Sequence, residues 1–84
     1  MQFRIEIVRV TRDDNGVGRI SAPIEIVAQF ETDYPAHTAY PAEEILAKHG
    51  IRTTKRANAL LVPDEVKVAW ELGNRMLAIV RLID

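Results

Sequence analysis

Apolar and polar residues alternate from the start of the chain. Phe3, Ile5 and Ile7 are separated by Arg4 and Glu6, the period of a strand with one face in a core. The phase changes at Val8 and Val10, which predicts either a bulge or a strand buried on both faces. Asn15-Gly16 follows, a pair that tolerates the positive φ of a tight hairpin turn. Beyond it Ile20, Ala22, Ile24, Ile26, Ala28 and Phe30 alternate with polar residues for most of the return strand. With Asn15-Gly16 as a two-residue loop, Phe3 faces Ala28, Ile5 faces Ile26 and Ile7 faces Ile24, all on one side of the sheet. Pro23 has no N–H to donate and so belongs on an edge or at a bulge, and the second strand is placed at an edge there.

Asp33-Tyr34-Pro35 and Tyr40-Pro41 mark a loop over 32–40. Pro41 suits the first turn of a helix over Ala42 to His49. Glu43 and Glu44 lie near its positive end, Lys48 and His49 near its negative end, and Gly50 caps it. Ile45, Leu46 and His49 are the expected buried side. Ala59 to Val62 reads as a short strand ended by Pro63. Asp64 to Leu72 carries two patterns. Val66, Ala69, Trp70 and Gly73 have helical spacing, while Val66, Val68, Trp70 and Leu72 alternate as in a strand with a turn at Gly73-Asn74. The helix is the preferred reading. Arg75 to Ile83, almost continuously apolar, is a central strand covered on both faces. The sum is a single α+β domain over residues 1–84, β-β-α-β-α-β, with a mostly antiparallel sheet and helices on one face.

Composition narrows the class. A chain of 84 residues, 48% apolar and 27% charged, has room for one core. Cysteine is absent, and His37 and His49 are the only histidines. No leader pattern opens the chain and no apolar run is long enough to span a bilayer, which fits a cytoplasmic protein. A thin core, the two-faced C-terminal strand and Trp70 make a homodimer an expectation.

Candidate chemistry is sparse. Ser21 is the only serine, on an edge strand with no base beside it, and Gly16-Val17-Gly18 is explained by the hairpin rather than by a phosphate loop. Asp33, His37, Glu43, Glu44 and His49 gather around the central loop without any established metal-ligand spacing. The expectation is therefore no catalytic residue, no metal and no cofactor.

Charge is more informative than its net value of −1. Between Ile20 and Ala47 lie five acids (Glu25, Glu31, Asp33, Glu43, Glu44) and no Lys or Arg; between Ile45 and Pro63 lie Lys48, Arg52, Lys55 and Arg56 and no acid. Segregated charge steers encounter and selects partners. This boundary predicts a small non-catalytic protein-binding module, a regulator or inhibitor acting by occupying a partner's surface. Its candidate contact residues are Glu43, Glu44, Lys48, Arg52, Lys55 and Arg56, with Tyr34 and Tyr40 beside prolines as interface aromatics.

The basic segment 48–56 supports a second reading, nucleic-acid binding. Thr53-Thr54-Lys55-Arg56 followed by Leu61-Val62-Pro63-Asp64-Glu65-Val66-Lys67 resembles the strand-Pro-helix segment of AbrB-type swapped-hairpin regulators, over less than a third of the chain. The glycine that the family carries near Arg56 is missing, and the N-terminal half has no counterpart. What the resemblance implies is a dimeric DNA-binding regulator.

Overall fold

The computed structural model describes residues 1–33, 38–57 and 62–83. Strand β1 (Gln2–Arg12), β2 (Gly18–Ile20), β3 (Glu25–Glu31), helix α1 (Ala39–Lys48), β4 (Val66–Gly73) and β5 (Met76–Leu82) follow one another along the chain. The five strands form an antiparallel sheet of order β2-β1-β5-β4, with β3 paired to β1 on the same side as β2. The phase change at Val8 marks a strand buried on both faces: Phe3, Ile5 and Ile7 pack on one side, Val8 on the other.

The N-terminal hairpin forms, but its turn is not the expected two-residue loop. Thr11 pairs with Arg19 and Arg12 with Gly18, leaving residues 13–17 as the connection. The Asp13 carboxylate builds this loop by accepting from the N–H groups of Asn15 and Val17, both at 2.9 Å, and Gly16 supplies the positive φ of 77°.

Pro23 then interrupts the return strand. Ser21 donates its N–H to the Arg9 carbonyl, its hydroxyl accepts from the Arg9 N–H, and the ladder resumes where Ile24 donates to the Ile7 carbonyl. A further irregularity follows at Ile5/Glu6, where Ala28 and Ile26 are successive partners and Val27 is the extra residue. Phe3 thus faces Phe30, with rings stacked 5.6 Å apart, and Ile5 faces Ala28. Ile26 comes to lie opposite Glu6 rather than Ile5. Since a shift of one residue turns every side chain to the other face, Ile24 and Ile26 leave the predicted core and stand exposed.

Helix α1 begins three residues earlier than expected, so Pro41 lies in its first turn but not at its first position. Ala42 and Leu46 are its buried residues and join Phe3, Ile5, Trp70 and Val80 in the larger core cluster. His49, expected on that side, is exposed. Gly50, at φ 74°, terminates the helix as predicted: its N–H reaches the Ala47 carbonyl and the Ile51 N–H reaches Leu46, the paired bonds of a Schellman stop.

The main correction concerns 64–72, which is strand and not a second helix. β4 pairs with β5 through a two-residue turn in which Asn74 and Arg75 have φ of 53° and 59°. As a strand the segment buries Val68 and Trp70 against α1's side of the sheet and Ala69 on the other. A helix there would leave one side of β5 without backbone partners, a cost the alternating pattern avoids. Residues 59–61 of the short strand expected before Pro63 lie outside the described residues.

β5 is the central strand that its nearly continuous apolar pattern predicts, flanked by β1 and β4. Its second face is covered within the chain, where Leu77 and Ile79 cluster with Val8, Val66 and Ala69 and pack against Ala57 and Val62. Trp70 is likewise buried. Two of the three grounds for a homodimer, the two-faced strand and Trp70, are thus satisfied inside one molecule. No helix among the described residues is long and apolar enough to cross a membrane.

Candidate functional site

One ion pair, Arg56 with Glu43, joins the two sides of the predicted charge boundary. Arg56 makes an antiparallel bridge to Trp70, its guanidinium lies 5.7 Å from the indole centroid, and one terminal nitrogen is 3.9 Å from Glu43 of α1. Its neighbour Lys55 reaches Glu71 at 3.0 Å. Segment 55–57 runs as an extra extended stretch beside β4, with Ala57 donating to the Ala69 carbonyl and Glu71 donating to Lys55. Extended backbone sends successive side chains to opposite faces, so Lys55 and Arg56 do not share a patch. Of the remaining candidates, Lys48 and Arg52 are exposed and have no ion-pair partner among the described residues. Glu44 accepts a long bond, 3.5 Å, from the hydroxyl of Tyr40, itself 69% exposed. Tyr34 and His37 lie outside the described residues.

A different surface emerges at the two sides of the sheet. On the β4 side, segment 55–57 occupies the strand edge. On the other, β3 bonds to β1 along one side and has no strand beyond it among the described residues. An open edge of this kind presents backbone N–H and C=O groups to any chain that can lie along it. Ile24, just before β3, and Ile26 within it are each 54% exposed. Glu25 and Glu31 stand at the strand's ends, both exposed. The sequence signalled the edge through Pro23 but not the outward isoleucines, because the Asp13 loop and the break at Ala22-Pro23 shift the register.

Beside this edge lies a buried charge. Glu6, opposite Ile26, is 0% exposed. It accepts from Arg4 Nε at 2.6 Å and from Arg81 Nε at 3.2 and 3.3 Å, while Arg81 also reaches Glu65 at 2.9 Å. Two guanidiniums hold this carboxylate, so it is a structural anion rather than a free base.

Ser21 bonds to the Arg9 N–H and to the Ala22 carbonyl, which spends its hydroxyl on the strand interruption. Among the described residues no group of three or more His, Asp or Glu is placed to hold a metal ion. The strand-Pro-helix likeness of 53–67 does not extend to the fold, since β4 starts at Val66 where the helix was expected. No protein-family model matches the chain, and no curated protein or solved structure is significantly similar to it.

Proposed function

We propose that the chain is a small non-catalytic protein-binding module whose partner lies along β3. The observation that carries the reading is the asymmetry of the two sheet edges: β4 is flanked by the chain's own segment 55–57, whereas β3 has no strand beyond it among the described residues and is bordered by the exposed Ile24 and Ile26. Strand addition uses this combination, with main-chain bonds for affinity and alternate side chains for specificity.

Charge indicates the kind of partner. Glu25 and Glu31 end the strand, and the stretch from Ile20 to Ala47 contains no Lys or Arg. An extended segment with alternating apolar residues and basic ends complements it. A second copy does not: antiparallel pairing of β3 with itself about Ala28 would set Glu25 against Glu31 at both ends, and like charges directly opposite are destabilising. The module acts by occupying its partner's strand, as a regulator or inhibitor would.

The test is a pull-down comparing the intact chain with the Ile24→Thr/Ile26→Thr double variant, followed by titration of the captured partner. The variant should melt like the parent and retain the partner poorly. Equal retention would remove the β3 reading. Nucleic-acid binding through 48–56 is the weaker alternative, supported by Lys48 and Arg52, which have no ion-pair partner among the described residues, while the exposed Lys55 and Arg56 are engaged by Glu71 and Glu43. A gel shift that weakens steeply with salt would favour it.

A further inference from the structure

At the hairpin end of the sheet, the face opposite α1 opens into a groove of about 590 Å³. Val10 and Leu77 give it an apolar lining, and Arg12, Lys55 and Arg75 stand around it with the single carboxylate Glu71. Three cations against one acid is a local surplus of positive charge on a chain whose net charge is −1. Lys55 and Glu71 neutralise each other at 3.0 Å. Arg12 and Arg75 have no carboxylate within ion-pairing distance among the described residues, unlike Arg4, Arg19, Arg56 and Arg81. Arg75 also adopts a left-handed φ of 59°, at a turn position where glycine would sit without strain.

We propose that this groove binds a small organic anion, a carboxylate or phosphate carried on an apolar body. The guanidiniums of Arg12 and Arg75 take the charged group, and Val10 and Leu77 take the apolar part. The volume falls in the range of about 300–1,000 Å³ usual for small-molecule sites. A long polyanion is a poorer fit, because phosphate tracking needs a run of free cations and Glu71 stands in this wall. The site is separate from β3, so either reading can fail without the other.

Fluorescence titration of the full chain with anilinonaphthalene sulfonate, an apolar anion, tests the proposal against the neutral N-phenylnaphthylamine. Amide NMR shifts locate each probe. The sulfonate should bind more tightly than the neutral amine and perturb Val10, Gly73 and Leu77. Arg12→Gln and Arg75→Asn, the latter a residue that accepts left-handed backbone, should each weaken the sulfonate about tenfold and leave the amine unchanged. Arg12→Gln alone alters an exposed side chain at a strand end, so it reports even if the turn variant unfolds. Equal affinity for both probes, an unchanged sulfonate affinity in Arg12→Gln, or shifts centred on Ile24 and Ile26 would each overturn the assignment.

Discussion

Replacing Glu6 with glutamine keeps the side-chain shape and removes the one charge that Arg4 and Arg81 share. The carboxylate is wholly buried, whereas the arginine side chains are 28% and 19% exposed. At a charge separation of about 4 Å and an effective dielectric of about 20, each pair is worth roughly 4 kcal/mol before desolvation is subtracted. Removing one partner of a buried pair costs about 3–5 kcal/mol, and the partial exposure of both arginines places Glu6→Gln near the lower end, about 3 kcal/mol. A chain of 84 residues has a total stability of roughly 4–13 kcal/mol, so the loss is a large share of it.

Trp70 is the only tryptophan and is buried, which makes its fluorescence the probe for urea unfolding, checked by far-UV circular dichroism. At a slope of about 1–1.5 kcal/mol per molar urea the midpoint should fall by about 2–3 M. Arg81→Met should then cost less in the Glu6→Gln background than in the parent, since the two side chains act through one contact. A loss below about 1 kcal/mol would place the network with exposed ion pairs and refute the argument that burial gives it its weight.

Three further outcomes follow from the same geometry. Leu46→Ala, which removes the most deeply placed side chain of α1, should destabilise by about 2–5 kcal/mol in chemical denaturation. Arg75→Gly relaxes the left-handed turn position and should stabilise by about 1 kcal/mol, raising the melting temperature by roughly 4–8 °C while removing a cation from the groove. Ile24→Thr/Ile26→Thr should change stability by less than about 0.5 kcal/mol. With each isoleucine 54% exposed, the pair offers a partner about 2 kcal/mol of apolar burial, so titration of the captured partner should show about thirtyfold weaker binding.

Local chemistry determined the elements whose signals lie within a few residues. The alternation of Phe3, Ile5 and Ile7, the Gly50 stop after α1 and the nearly continuous apolar run of β5 all appear where the sequence puts them, because propensity, capping and period act at short range. Pro23 marked the edge for the same reason, since a missing N–H confines proline to an edge or a break in pairing.

The tertiary structure decided what depends on the partner across the sheet. Residues 64–72 carry both helical and strand spacing, with the helix the preferred reading; the need of β5 for a second hydrogen-bonded neighbour makes 66–73 the strand β4. The Asp13 loop and the break at Ala22-Pro23 together shift the register by an odd step and turn Ile24 and Ile26 outward, and the extra residue Val27 returns Phe30 to the core face. The basic run at 48–56 looked continuous because sequence is linear. Extended geometry sends Lys55 to Glu71 and Arg56 to Trp70 and Glu43, and brings Lys55 beside Arg12 and Arg75 instead. Whether a charge is buried, paired or free is a property of the folded sheet, where residues 75 positions apart, such as Glu6 and Arg81, become neighbours.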